Sequence, residues 1–149
     1  MREIESGIYN EVVEIIQAAK ERAYQKVNEE LVLMYMQVGK FVSEKAKNAV
    51  YGESYVQGLA DFIGKRYPQL KGFTRRGLYR MKQFYELYKD EEKVSPLVTQ
   101  LSWTNHLQIM SACKSAEERY FYMSFCVKCK RRKTENARAN DRRIFRFVV

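Results

Sequence analysis

Apolar residues recur every three or four positions from Ile4 to about Lys47, and this repeat restricts the fold more than any other feature of the sequence. Its members are Ile4, Ile8, Val12, Ile15, Ile16, Ala19, Ala23, Val27, Leu31, Met34, Val38 and Val42. Because the span contains no proline, it predicts one long bent helix or two helices in series. The stripe then forms either the core of the domain or a seam with a second copy of the chain, and the sequence leaves both outcomes open.

The composition agrees with a helical protein. The 149 residues are 46% hydrophobic but include only two prolines, which favours one all-α domain over a β-sandwich or barrel rich in turns. No stretch approaches the roughly 20 uncharged apolar residues of a membrane span. Arg2, Glu3 and Glu5 are followed by no apolar segment of the kind that directs secretion, so we expect a cytoplasmic protein.

The residues needed for common catalytic and metal sites are scarce. Cys113, Cys126 and Cys129 form an odd set that predicts free thiols, and His106 is the single histidine. Cys126 and Cys129 have C-x-x-C spacing, but a zinc site needs four ligands. The sequence therefore predicts no metal site, no cofactor and no catalytic residue.

Four shorter helices are predicted after the first. They span residues 53–67, residues 75–89, a segment after the cap Ser102 that carries Trp103, Leu107 and Met110, and a segment after the cap Ser115 that carries Phe121 and Phe125. Pro68 disfavours helix before it and Gly72 allows a turn, so residues 67–73 are predicted to be a connection. Asp90 to Pro96 is expected to be a charged loop.

The charge is unevenly distributed. Residues 1–70 carry nine basic and ten acidic side chains, residues 71–126 carry nine and six, and residues 127–149 carry nine and two. We therefore divide the chain into a helical domain of residues 1–126 and a basic C-terminal tail of residues 127–149, which is either disordered or a frayed helix. Within the domain, residues 71–82 hold five basic groups and no acid.

The helix predicted to follow the N-cap Thr74 has an apolar and a polar face. At about 100° per residue, the apolar side contains Leu78, Met81, Tyr85 and Tyr88, and the polar side contains Arg76, Arg80 and Gln83, with Tyr79 at its border. Cations in the first turn oppose the helix dipole by about 0.3–1 kcal/mol. A bound phosphate at the helix start would offset that cost.

A short helix, a turn and a second helix with a basic outer face are typical of helix-turn-helix DNA-binding proteins. In this hypothesis Lys71, Arg75 and Arg76 neutralise phosphates, whereas Arg80 and Gln83 reach base edges. The predicted DNA-binding residues are Lys71, Thr74, Arg75, Arg76, Tyr79, Arg80, Lys82 and Gln83. The alternative is that they only coat a solvated helix face.

Two motifs extend this interpretation. Residues 72–85 read Gly-Phe-Thr-Arg-Arg-Gly-Leu-Tyr-Arg-Met-Lys-Gln-Phe-Tyr, and residues 100–107 read Gln-Leu-Ser-Trp-Thr-Asn-His-Leu. With Val38-Gly39-Lys40 and Tyr51-Gly52, they resemble the N-terminal domain of the YhcG family of bacterial nucleases, over roughly residues 8–126. Gly77 stands where that family has asparagine, and the chain departs from the family pattern after Phe125.

The resemblance implies an all-α domain of helix-turn-helix or winged-helix type that binds duplex or branched DNA. In full-length relatives such a domain precedes a PD-(D/E)XK nuclease domain, whose metal site needs an acidic residue and a strand-borne E-x-K. The nearest E-x-K here, Glu91 to Lys93, lies in the charged loop. We therefore expect a non-catalytic DNA-recognition part of a truncated YhcG-like nuclease, with no membrane partner.

Two other functions stay open. The first is a protein-interaction or dimerisation module of a larger nuclease or defence complex, with a homodimer formed through the helices of residues 4–42. The second is a stand-alone metal-dependent nuclease that uses Asp90 and Glu91.

Overall fold

The computed structural model describes residues 2–47 and 52–135, and the side chains of residues 6–47 and 54–130. The helices in these ranges are α1 (Arg2–Ala46), α2 (Gly52–Arg66), α3 (Arg75–Tyr88), α4 (Ser95–Val98), α5 (Trp103–Ala112) and α6 (Ala116–Glu135). No strand occurs among these residues, and the all-α prediction is confirmed. Residues 90–101 contain the one-turn helix α4 and so form no strand-built wing.

The long apolar repeat forms a single helix, α1, of 45 residues. Its two parts have different surroundings. Val32 and Val42 are fully buried, whereas the large apolar side chains between residues 6 and 27 are exposed. Among the described side chains, the stripe is fully buried only at Val42. Val32 is not a member of the repeat, and its neighbour Leu31, which is a member, is 43% exposed. The prediction that the whole stripe forms the core of the domain is therefore wrong for most of its members. Ile4, the first member of the repeat, lies outside the described side chains.

Two clusters of buried side chains hold the helices together. The smaller one joins Val42 of α1, Val56 of α2, and Leu78 and Met81 of α3. The larger one contains Val32, Phe84, Tyr88, Val94, Val98, Leu101, Ile109, Met110, Cys113, Met123, Cys126 and Val127. Both α1 and α3 contribute to the two clusters, so this pair of helices forms the centre of the domain, and α3 has one face buried and the other facing solvent.

The closest approach between α1 and α3 is at Gly39. A Cβ atom at this position would overlap the carbonyl oxygen of Met81 and would lie 3.1 Å from the Cβ atom of Tyr85. The missing side chain therefore lets the two helix backbones come together. This contact fixes α3 against the C-terminal part of α1.

Two helix caps predicted from the sequence are confirmed. The Ser102 hydroxyl accepts a hydrogen bond from the Asn105 amide, and the Ser115 hydroxyl accepts one from the Glu118 amide, both over 3.2 Å. The expected charged loop before Pro96 is shorter than predicted, because α4 begins at Ser95 with the proline in its first turn, where a missing N–H is tolerated.

The last described helix differs from its prediction in which side chains it buries. Phe121 and Phe125 are exposed, and Met123, Cys126 and Val127 are buried instead. The helix also continues across residue 127 to Glu135, so the first part of the basic segment is helical. The prediction for residues 136–149 lies outside the described residues. No helix in the described ranges is long and apolar enough to cross a membrane.

Candidate nucleic-acid interface

The start of α3 is built as the sequence predicts. Thr74 is its N-cap, with φ −75° and ψ 169°, and the Thr74 hydroxyl accepts a hydrogen bond from the Gly77 amide over 3.1 Å. The connection before it turns at Gly72, whose φ of +89° lies in the left-handed region that favours glycine. A Cβ atom at Gly77 would overlap the Gly72 carbonyl oxygen. These two glycines therefore let the connection fold closely onto the first turn of α3.

The buried face of α3 leaves its basic residues outside. Leu78, Met81, Phe84 and Tyr88 are buried, and Phe84 takes the position in the core that the sequence assigned to the half-buried Tyr85. Arg75 and Arg76 are exposed, while Tyr79, Arg80 and Gln83 are half-buried at the surface. No acidic side chain lies in the first turn. The N-terminal half of α3 therefore presents positive charge to solvent.

Two contacts order the side chains on this face. The Arg75 guanidinium lies 5.6 Å from the centroid of the Tyr79 ring, within the range of a cation–π interaction. The Arg80 Nη1 atom lies 3.4 Å from Gln83 Oε1 and donates a long hydrogen bond to it. The two residues predicted to reach base edges are therefore neighbours that constrain each other.

Lys82 has a different environment from the arginines. Its Nζ atom lies 3.2 Å from a Glu86 carboxylate oxygen, and the Ser43 hydroxyl of α1 donates a 2.8 Å hydrogen bond to the same carboxylate. Partial burial raises the pKa of Glu86, but the Ser43 hydrogen bond and Lys82 outweigh this and lower it. Lys82 is therefore paired on the side of α3 towards α1. Lys71 is exposed in the connection before α3.

A groove of about 700 Å³ lies between the start of α3 and helix α5. Arg76 and Arg80 line one side, Gln108 and Ser111 line the other, and Trp103 is among its apolar lining residues. Sequence reasoning missed the contribution of α5. The available signal was that Gln108 and Ser111 are polar residues three positions apart, which lie on one face of a helix.

Trp103 holds α5 in this position. Its ring stacks on Phe84 with centroids 5.1 Å apart and on Tyr35 of α1 with centroids 4.4 Å apart. Aromatic pairs at such distances add about 0.5–1.5 kcal/mol to the free energy gained from burial. The groove is thus supported by side chains of three helices, α1, α3 and α5.

His106 lies in the core and is fully buried. Its Nε2 atom is 2.7 Å from the Val98 carbonyl oxygen, and its ring contacts Phe84 with centroids 4.7 Å apart. Burial lowers its pKa to about 4, although the hydrogen bond to Val98 opposes that shift. The imidazole is therefore neutral at pH 7 and is not presented to a ligand at the surface.

The cysteines lie in or near the same core. Cys113 and Cys126 are buried and Cys129 is half-buried. Burial raises the pKa of the Cys113 thiol and raises that of Cys126 to about 11, so both are protonated at neutral pH. Within the described parts of the chain, no three His, Cys, Asp or Glu side chains are grouped so that they could hold a metal ion.

These features define a small helical domain in which a basic helix start borders a groove. The chain matches the DUF1016 N-terminal domain over residues 11–146 and belongs to that family. The matched range continues past Phe125 through α6 and into the basic C-terminal segment as far as residue 146, whereas the sequence was expected to depart from its family pattern after Phe125. No curated protein and no solved structure matches the chain.

Proposed function

We propose that this chain is a non-catalytic DNA-binding domain, the DNA-recognition part of a YhcG-like nuclease. The observation that carries the proposal is the acid-free, solvent-facing start of α3. Arg75 and Arg76 extend from it while four other side chains of the same helix anchor it in the core. A rigid helix that displays cations beside its own free N–H groups is suited to phosphate oxygens.

Each basic residue has a distinct role in the proposal. Lys71, Arg75 and Arg76 contact backbone phosphates, since they surround the helix N-terminus. Arg80 and Gln83 lie one to two turns further along α3 and reach towards base edges. Lys82 contributes less, because Glu86 already neutralises it. Tyr79 supports the Arg75 guanidinium rather than stacking on a base.

The groove next to α3 supports the same proposal. Its wall carries Arg76 and Arg80, and Gln108 and Ser111 add uncharged polar groups on the opposite side. Half or more of the hydrogen bonds in protein–DNA interfaces go to phosphate and sugar, and such polar side chains commonly make them. We therefore include Gln108 and Ser111 in the proposed interface.

The connection between α2 and α3 distinguishes this domain from the shortest helix-turn-helix units. It spans residues 67–74, whereas those units have about three or four residues between their helices. The longer connection folds onto the first turn of α3 at Gly72, and the preceding residue, Lys71, is exposed. We propose that it contacts the sugar-phosphate backbone as part of the interface.

The experiment that tests the proposal compares two charge-matched double variants of the full chain. Arg76→Ala/Arg80→Ala removes two cations at the start of α3, and Lys89→Ala/Lys93→Ala removes two exposed cations at its other end. Fluorescence anisotropy of a labelled duplex should show affinity falling by roughly tenfold per lost contact for the first variant at about 0.1 M salt. The control should bind nearly as the unchanged protein does.

Equal losses in the two variants would show that DNA responds only to net charge, and the proposal would then fail. A third variant replaces the four basic residues 130–133 with alanine. If only this variant loses affinity for DNA, the proposal also fails. Magnesium or manganese is added in a parallel assay with intact duplex, where we expect no cleavage.

A further inference from the structure

The N-terminal part of α1, residues 6–27, is here termed the α1 arm, and it carries a broad uncovered apolar face. The large apolar side chains exposed on it are Ile8, Tyr9, Val12, Val13, Ile15, Ile16 and Val27. Exposure ranges from 45% at Val13 to 68% at Ile15. Contiguous apolar surface of this extent is typical of an interaction site.

The domain itself contacts a different side of the arm. A groove of about 550 Å³ is lined by Gln17, Tyr24, Gln25 and Asn28 of α1 and by Lys130 of α6, so the exposed Tyr24 ring lies on this mainly polar side of the arm. Asn28 also donates hydrogen bonds to the carbonyl oxygens of Thr99 and Leu101, over 3.1 and 2.8 Å. The polar side of the arm is therefore turned towards α6, and the described residues leave its apolar side uncovered.

The spacing of the apolar residues points to a second copy of the chain as the occupant. The residues along the middle of the apolar face are here termed the apolar set. They are, in chain order, Ile8, Val12, Ile16, Ala19, Ala23 and Val27. The steps between them are four, four, three, four and four, which read the same in both directions. Two arms that run antiparallel therefore place Ile8 opposite Val27, Val12 opposite Ala23, and Ile16 opposite Ala19, along about 30 Å of helix.

The charges on the arm favour the same orientation. Residues 6–16 contain Glu11 and Glu14 and no basic residue, whereas residues 17–27 contain three basic residues, Lys20, Arg22 and Lys26, and one acid, Glu21. At 100° per residue, Glu11 and Arg22 flank the apolar set on the same side. In the antiparallel register Glu11 of each copy lies beside Arg22 of the other. In a parallel pair the two residues would be about eleven residues apart along the helix axis and could not pair.

We propose that two copies of this chain associate through antiparallel α1 arms. The apolar set forms the seam, and one Glu11–Arg22 ion pair lies on either side of the two-fold axis that crosses the middle of the seam. The proposal does not depend on DNA binding, since the arm and the start of α3 are separate surfaces. The resulting dimer displays two α3 surfaces related by two-fold symmetry.

Sedimentation equilibrium of the full chain over a wide concentration range gives the first test. We expect a reversible change from one to two chains. Ile16→Asp should raise the dimer dissociation constant at least about a hundredfold, because it buries two charges in the seam. Glu14→Arg, on the far side of the arm from the seam, should leave the dissociation constant unchanged. Circular dichroism checks that both variants retain their helix content.

Charge exchange tests the register. Glu11→Arg should weaken the dimer several-fold, because two attractive pairs become repulsive. The double variant Glu11→Arg/Arg22→Glu should restore the original dissociation constant. A chain that is monomeric at every concentration, or a double variant no better than the single one, would overturn the proposal.

Disulfide capture tests the direction. Ile8→Cys mixed with Val27→Cys should yield a disulfide-linked dimer on oxidation, whereas each variant alone should not, since identical positions are about 28 Å apart in the antiparallel pair. Unchanged protein controls for Cys113, Cys126 and Cys129. Dimers captured from either variant alone would indicate a parallel pair and contradict the proposal. Hydrogen exchange of the monomer provides a further check. If the amides of residues 8–27 exchange slowly in a chain that does not dimerise, the chain's own C-terminal segment covers the arm and the proposal fails.

Discussion

The two parts of α1 share one apolar repeat and have opposite environments. Residues 28–46 pack on α3, where Val32 and Val42 are fully buried, whereas the arm exposes half or more of Ile8, Val12 and Ile15. The difference arises because the domain supplies a neighbour, including the close contact at Gly39, to only one part. A periodic stripe therefore predicts a helix, but it does not identify what covers the helix or which side of it is buried: Leu31 of the repeat is 43% exposed, whereas Val32 and Ser43, outside the repeat, are fully buried.

The largest expected effect comes from placing the same charge on each part of α1. Val42→Asp should lower the free energy of unfolding by at least about 4 kcal/mol, because it buries an unpaired carboxylate in the core. Val12→Asp, on the arm, should change the stability of the monomer by less than about 0.5 kcal/mol. Urea unfolding at low protein concentration measures both. Similar losses in the two variants would contradict the division of α1 into a packed part and an exposed arm.

Acid should lower the stability of the core on which the packed part of α1 lies, because His106 of α5 is buried in that core. Its pKa falls to about 4 in the folded chain, below the ordinary 6.5 that the unfolded chain retains. Between these values the unfolded chain binds a proton that the folded chain does not, so the free energy of unfolding decreases as pH is lowered. The full loss is on the order of 3 kcal/mol and levels off below pH 4. Urea unfolding at several pH values between 7 and 4 measures it.

The pH range from 7 to 5 isolates this effect, because His106 is the single histidine and carboxylates titrate mainly below that range. His106→Gln should remove most of the slope between pH 7 and 5, whatever its effect on absolute stability. A slope that persists in this variant would assign the pH dependence to another group.

A smaller effect is expected at the start of α3, the helix that covers the packed part of α1. Thr74→Ala removes the hydroxyl that accepts a hydrogen bond from the Gly77 amide, so it should lower the free energy of unfolding by about 1 kcal/mol. Thr74→Ser keeps a hydroxyl and should lower it by less. Chemical denaturation of the two variants measures the difference. Equal stability of the alanine and serine variants would mean that the hydroxyl cap does not stabilise the helix.

Much of the fold could be predicted because local rules determine it. Proline-free periodicity predicted α1, and the side-chain caps Thr74, Ser102 and Ser115 marked where three other helices begin. The burial of α6 was predicted less well. Its aromatic Phe121 and Phe125 were assigned to the apolar face, but tertiary packing selects Met123 and Val127, which lie on the side facing the core.

The candidate site could be predicted only in part. The basic side of α3 follows from residue spacing, so Arg76 and Arg80 were placed on a common face. The contribution of α5 was missed because it depends on Trp103, whose stacking on Phe84 and Tyr35 sets the groove. The Lys82–Glu86 pair was also missed, although its i, i+4 spacing on one helix is a local signal. Only the hydrogen bond from Ser43 to the same carboxylate depends on tertiary packing.

The central claim is that the start of α3 binds DNA while the α1 arm serves a different contact. The most direct measurement is the slope of the logarithm of the DNA association constant against the logarithm of salt concentration. It is measured for the unchanged chain and for Arg75→Ala/Arg76→Ala/Arg80→Ala. We expect the slope to become shallower by about two units, because Arg75 and Arg76 lose their phosphate contacts, and the loss of the Arg80 base contact to lower the affinity further. An unchanged slope and affinity would contradict the central claim.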